Sequence, residues 1–355
     1  MSSVITETLM VANDRRSAGT RKHLDEPLGF DSFLRPQVWG GDALATHLGK
    51  SGAGQGPVGE SWEVSGLPEH PSVVSQGAFA GQSLADLWRT RSLDLVGRTH
   101  PSPVFPLFVK WLDCRGDLSV QVHPNDSVAR AMGHVCGKSE AWVVVHAEPT
   151  SRVFAGLRSG VTRDELLARL QFGTVTECLH SFVPQVGDCI SLPAGTIHSA
   201  GGGVVFAEVQ QPSDVTYRLF DWNRAGRDDQ ARPLHIDLAM KAITWPQEPV
   251  VPVSPLPLNC QRGVRGELLL KTSAFELERY TVRDTWPQPY SGEMTIWMVL
   301  DGTAVLDGAG YAPHQILERG STVLIPAAAQ GTQWAAAEAG KPCQLLCIRL
   351  PSQST

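Results

Sequence analysis

Gly187-Asp-Cys-Ile-Ser-Leu-Pro193-Ala-Gly-Thr-Ile-His198 returns later in the chain as Gly320-Ser-Thr-Val-Leu-Ile-Pro326-Ala-Ala-Ala-Gln-Gly331. Each copy is a turn glycine, a short apolar run of strand length, and a Pro-Ala that begins the next turn. Upstream, Glu140-Ala-Trp142-Val-Val-Val lines up with Thr295-Ile-Trp297-Met-Val-Leu. Self-similarity of this kind predicts that the two halves share one fold. The copies differ in their polar residues: Glu140 becomes Thr295, and His198 becomes Gly331. One half is therefore expected to do chemistry and the other to support it.

Outward from the repeat, short apolar runs alternate with Gly, Pro and Asp. Phe105 to Leu112, Leu118 to Val122, Ala141 to Val145, Cys189 to Leu192 and Val204 to Val209 all have strand length, and most are rich in Val, Phe or Trp. Two stretches read as helices. Gln82 to Val96 places Leu84, Leu87, Trp88 and Leu95 near one face, and Thr162-Arg-Asp-Glu165 opens a second helix as an N-cap with acid at N3. The stretch from Trp245 to Pro257 carries too many prolines for a helix or a central strand and reads as an extended linker. The expected organisation is a mainly β protein with a few short helices. Residues 1–25 form a polar tail, 26–245 a catalytic domain, 246–260 the linker and 261–355 a second domain of the same kind.

At 355 residues the chain is long enough for two cores. A formal charge of -6 gives no bulk attraction for nucleic acid or an anionic membrane, so an anionic small substrate must be met by a local cluster of cations. The seven cysteines are odd in number and contain no C-x-x-C pair, which fits small buried hydrophobes in a reducing cytosol rather than a disulfide framework. The N-terminus has no apolar signal core, and no run approaches the roughly 18 apolar residues of a membrane span. A cytoplasmic protein is expected, a monomer or a weak dimer.

The chemistry concentrates in a few places. In Ser119-Val-Gln121-Val-His123-Pro124, strand alternation sends Gln121 and His123 to one side, and Pro124 ends the strand at His123. Glu140 opens the next strand, and His198 follows the Pro193-Ala-Gly195 turn. Two imidazoles, a carboxylate and an amide suit zinc, although manganese, iron, cobalt or nickel also bind such N/O sets. Lys110 sits within the apolar Leu107-Phe-Val-Lys-Trp-Leu112, where an unpaired ammonium is costly to bury. Lys138 lies two residues before Glu140, on its face if the strand has begun. Along Asp214-Val-Thr-Tyr-Arg218, alternation puts Asp214, Thr216 and Arg218 together, and an ion pair between Asp214 and Arg218 on a solvated strand is the plain expectation.

These segments resemble the short bacterial branch of type I mannose-6-phosphate isomerases, in the cupin superfamily. The matching stretches include Arg35-Pro-Gln-Val-Trp-Gly-Gly41, Gly59-Glu-Ser-Trp-Glu-Val-Ser-Gly66, Gln121-Val-His-Pro-Asn-Asp126, Gly137-Lys-Ser-Glu-Ala-Trp142 and Glu208-Val-Gln-Gln-Pro-Ser-Asp-Val-Thr-Tyr-Arg218. The resemblance is dense over residues 26–240 and continues more weakly to 350. It implies two cupin (jelly-roll) domains and one zinc ion per chain, held by Gln121, His123, Glu140 and His198. It further implies Arg218 as the catalytic arginine, Lys110 and Lys138 as site lysines, and Asp214 as the group that opens the sugar ring. Val143, next to Trp142, departs from the aromatic of related sequences.

The implied reaction interconverts mannose 6-phosphate and fructose 6-phosphate by moving a proton between C1 and C2 through an enediol(ate). Lys138 is the expected proton shuttle, since a lysine beside a dication and a guanidinium gives up its proton more readily. Lys110 would bind the phosphate or a hydroxyl. The alternatives are an isomerase of another sugar phosphate on the same scaffold, or a sugar-sensing cupin without catalysis.

Overall fold

The computed structural model describes residues 23–50, 52, 56–224, 231–308 and 314–351, so most of the expected tail lies outside the described residues. The first half holds a six-stranded antiparallel sheet in the spatial order Phe33–Gly41, Val58–Ser65, Phe108–Cys114, Val204–Gln210, Glu140–His146, Cys189–Leu192. Against it packs a five-stranded sheet in the order Tyr217–Phe220, Val120–Val122, His198–Gly201, Arg152–Leu157, Leu179–Phe182. The second half repeats the plan. Its six-stranded sheet runs Leu256–Leu258, Val264–Lys271, Glu276–Val282, Cys343–Arg349, Thr295–Asp301, Thr322–Ile325, beside a four-stranded one. Glu140–His146 and Thr295–Asp301 hold the same fifth place, and Cys189–Leu192 and Thr322–Ile325 the same sixth place. The internal repeat is thus a repeat of topology, and the protein is mainly β with cupin-type barrels.

Alternation explains why the central strands are apolar almost throughout. Along Phe108–Cys114, Val109 and Trp111 point to a core that both halves share, while Leu112 and Cys114 point into the first barrel. The shared core takes Val143, Val145, Ala207 and Val209 from one large sheet and Leu277, Ile296, Met298, Leu346 and Ile348 from the other. Trp111 Nε1 donates to the carbonyl of Gly320 at 3.0 Å, and Arg319 donates to the carbonyl of Val145 at 2.8 Å, tying the halves together. Lys110, between Val109 and Trp111, is left facing the barrel interior on a central strand, not on an edge.

The two expected helices form at Leu84–Val96, where the Ser83 side chain accepts from the Asp86 N–H, and at Arg163–Gln171, where Thr162 accepts from the Glu165 N–H. Three shorter helices were not legible: Ala43–Leu48, Asp126–Ala131 and Ile236–Ala242 are each under two turns, too short to show a 3.6-residue period. The strand expected from Phe105 begins only at Phe108, because Pro106 has no N–H to give to a ladder. The Pro-rich stretch is extended as expected, and it is docked rather than free. Val250 and Val253 donate to the carbonyls of Ala155 and Cys189, and Leu256–Leu258 joins the second large sheet.

Candidate active site

Strand ends from both sheets of the first barrel converge on one buried point. His123 directly follows the short strand Val120–Val122, His198 begins its own strand in register with Gln121, and Glu140 begins the strand facing them across the barrel. His123, Glu140 and His198 are each 1 % exposed. Glu140 Oε1 lies 3.2 Å from His198 Nε2, and Oε2 lies 3.6 Å from His123 Nε2. Gln121 Nε2 reaches His198 Nε2 at 3.3 Å, so the amide belongs to the same cluster.

The tautomers follow from the partners. His123 Nδ1 lies 2.8 Å from the Val215 carbonyl and His198 Nδ1 lies 2.9 Å from the Thr196 carbonyl. A carbonyl only accepts, so both Nδ1 atoms carry the proton and both Nε2 atoms offer lone pairs. Burial, and then the charge of Lys138, hold the His123 imidazole well below its ordinary value and so neutral. Burial alone would raise the Glu140 carboxyl, but nearby positive charge, Lys138 foremost, holds it well below the carboxylate range. Two imidazole nitrogens and a carboxylate, all buried and within 4.8 Å of one another, are the donor set of a divalent metal, and they fit one. Trp142 packs edge-on against His198, its ring centroid 5.4 Å away, and fixes the imidazole from behind.

Lys138 Nζ stands 2.7 Å from Glu140 Oε2 and 3.2 Å from His123 Nε2. Beside this cluster opens a cavity of about 320 Å³ that Gln121, Lys138, Lys110, Asp214 and Arg218 all line. Lys110, 3 % exposed, is met by Glu208 at 3.2 Å, Glu60 at 3.5 Å and Asp214 at 4.0 Å. Burial favours its neutral form, but those carboxylates outweigh burial and raise its pKa, so the ammonium stays charged. Asp214, Thr216 and Arg218 do share the cavity wall, yet the expected pair between Asp214 and Arg218 is not made. Asp214 instead takes Arg35 Nη1 at 3.0 Å, from an edge strand far away in sequence. Arg218 has no carboxylate within 4.0 Å among the described residues, and its Nε is buried without a partner. Burial, and then the like charge of Arg232, lower its pKa.

Among the lining residues, Arg35, Gln37, Glu60, Glu208, Arg232 and His235 had no role in the sequence reading. Glu208 carried the same signal as Lys110, a lone charge inside an apolar strand. Glu60 is held by Gln37 at 2.5 Å and by the Trp62 indole N–H at 2.7 Å, and Glu208 by the Trp142 indole N–H at 2.9 Å. These carboxylates are fixed features of the wall.

The site's residues fall in a chain with clear relatives. A family model described as phosphomannose isomerase type I, catalytic domain, matches residues 29–138. Mannose-6-phosphate isomerase ManA of Bacillus subtilis is 35% identical over 225 residues, covering 63% of this chain and 70% of that protein. The chain belongs to the type I phosphomannose isomerases. Mannose-6-phosphate isomerase of Streptococcus mutans is 33% identical over 219 residues, 62% of this chain and 68% of that one. In architecture the chain matches the crystal structure of the Bacillus subtilis mannose 6-phosphate isomerase with a TM-score of 0.83 at 25% identity, over 91% of this chain and 99% of that one. A structure of phosphomannose isomerase from Salmonella typhimurium shares the fold at a TM-score of 0.70 and 14% identity, over 92% of this chain and 100% of that one. As a member of this family the chain is an enzyme, an isomerase.

Proposed function

We propose that the chain interconverts mannose 6-phosphate and fructose 6-phosphate, moving a proton between C1 and C2 through a cis-enediol(ate). One divalent metal, zinc by preference for this N/O set, would be held by His123, Glu140, His198 and Gln121. The observation that carries the reading is the buried Glu140 carboxylate facing two imidazole Nε2 lone pairs, with Lys138 at Oε2 as its ion-pair partner. When bound, such an ion supplies positive charge against the oxyanion that develops as the carbon-bound proton leaves.

The remaining roles fall to the chain's own side chains. Lys138 Nζ, in the cavity wall beside Glu140, would take the proton from one carbon as the neutral amine and return it to the other as the ammonium, with a bound metal taking over the charge that now pairs with Glu140. Burial would raise the Asp214 carboxyl, but Lys110 and Arg35 outweigh burial and keep it ionised, ready to accept the anomeric hydroxyl proton in ring opening. Arg218 pairs in register with Gln121 and carries an uncommitted guanidinium, which suits it to steady the enediolate oxygen. Lys110 binds substrate.

Residues 26–245 are assigned the chemistry and 261–355 the supporting barrel. No described helix is long and apolar enough to cross a membrane. The seven cysteines are all free, which supports a reducing, cytoplasmic location for a monomer or weak dimer. A coupled assay with mannose 6-phosphate, run with and without a chelator, tests the reading. Turnover that survives thorough chelation would sink the metal-dependent part, and no turnover in metal-supplemented enzyme would sink the substrate.

A further inference from the structure

The cavity is electrically lopsided. At one pole Lys110 and Arg35 face Glu60, Glu208 and Asp214, all within 4.0 Å of one cation or the other. Two cations among three carboxylates leave that pole with nothing spare for an anion. On the other side the wall holds Arg218 and Arg232; Arg218 has no carboxylate within 4.0 Å among the described residues, and Arg232 meets Asp221, which is not itself part of the lining. Arg224 reaches Asp221 at 2.8 Å, and Arg232 grips it through Nε at 2.8 Å and through Nη2. Two guanidiniums in the wall, one of them without a carboxylate among the described residues, suit a dianion.

His235 belongs to the same side. Its N–H donates to the Arg218 carbonyl at 2.8 Å, and the Arg218 N–H donates to His235 Nδ1 at 3.2 Å. This reciprocal clamp folds the segment back along Tyr217–Phe220 and brings both Arg232 and His235 into the cavity wall. An Nδ1 that accepts is unprotonated, so the ring proton of the neutral imidazole sits on Nε2, a donor with no hydrogen-bond partner among the described residues. Burial, and then the charge of Arg218, lower the pKa of this ring and keep it neutral.

We propose that Arg232 and the Nε2–H of His235, beside Arg218, anchor the substrate's phosphate, and that the Lys110 pole holds sugar hydroxyls. The assignment rests on the sugar-phosphate isomerase reading and orients the substrate within it. Arg218 pairs in register with Gln121, so in this assignment the phosphate sits on the side of Arg218 away from the histidine cluster and the reacting carbons lie toward it.

Inorganic phosphate is the probe, titrated calorimetrically into the full chain, with steady-state kinetics on mannose 6-phosphate alongside. Arg232→Gln and His235→Gln are each expected to weaken phosphate binding about tenfold or more, and to raise KM more than they lower kcat. Arg232→Lys, which keeps the charge without the fork, falls between Arg232→Gln and the parent chain. Lys110→Met leaves phosphate affinity within about twofold, whatever it does to turnover. Parent-like phosphate affinity in Arg232→Gln, loss of affinity in Lys110→Met alone, or no phosphate binding by the parent chain overturns the proposal. Should Arg232→Gln fail to fold, Arg232→Lys and His235→Gln carry the same comparison. A chain that binds phosphate through Arg232 yet leaves mannose 6-phosphate unchanged would refute the assigned reaction and leave the anchor standing.

Discussion

Glu140 is sealed from water, with Lys138 Nζ against Oε2 and, at Oε1, an imidazole nitrogen 3.2 Å away that a shared metal cation would bridge to it. His198→Ala removes one of the two imidazole lone pairs opposite it while leaving the strand ladder untouched. That variant is expected to lose the bound metal yet keep its far-ultraviolet spectrum and cooperative melt; stoichiometric zinc in the purified variant would remove His198 from the ligand set. Arg218→Ala should keep its metal and lose turnover by about 10²–10³-fold, the usual scale for an electrostatic stabiliser in a closed site. Normal turnover in that variant would end the role given to it. The Arg35–Asp214 pair predicts a pH effect whose sign is fixed by Asp214. Its carboxyl is depressed in the folded chain, so the pair's stabilisation is present above the ordinary aspartate value and is lost as pH falls through the folded one. Both side chains are about two-fifths exposed, so Arg35→Ala should cost only about 0.5 kcal/mol near neutrality, with the difference vanishing in strong acid. Denaturant melts of both chains across the acid range measure it.

Among the elements, those with a strong local pattern were legible and those defined by distant partners were not. Cys189–Leu192 forms as read, because a turn glycine and a following Pro-Ala bound an apolar run on both sides. Gln121 and His123 reach one cluster because strand alternation leaves no other arrangement. Alternation states which face a residue takes, however, and not what waits there. Asp214 was therefore paired with Arg218 along its own strand, when its partner is Arg35 on the far edge of the other sheet. Glu60, Glu208 and Arg232 escaped notice for the same reason. Their meaning depends on strands that meet only in the folded barrel. The strand Phe108–Cys114 shows how much one element carries, with Lys110 in the site and Trp111 in the shared core. Trp111→Ala should destabilise the chain by about 3–5 kcal/mol through the cavity it leaves. A melting temperature equal to that of the unmodified chain would show that the contact across the halves is dispensable.

At the scale of the molecule, the two large sheets bury their outer faces against each other, so neither half has a complete core of its own. Thermal unfolding followed by intrinsic fluorescence and by circular dichroism should give one coincident transition, and a chain cut after residue 245 should not yield a soluble, cooperatively melting product. Two separated transitions, or a stable fragment, would contradict the shared core. The second barrel is filled rather than open. Trp286, Trp297 and Trp334 pack its interior, while Tyr290 covers the Arg349 guanidinium at 3.8 Å and bonds to Glu278. A barrel answerable only to packing can drift through many sequences that hold the same shape, since cores accept varied apolar residues of suitable volume. On the proposed function the first barrel has no such freedom, because its atoms would have to meet a metal and a substrate. The filled barrel is accordingly the part of this enzyme most open to redesign, a ready-made frame into which a second chemistry could be written without disturbing the first.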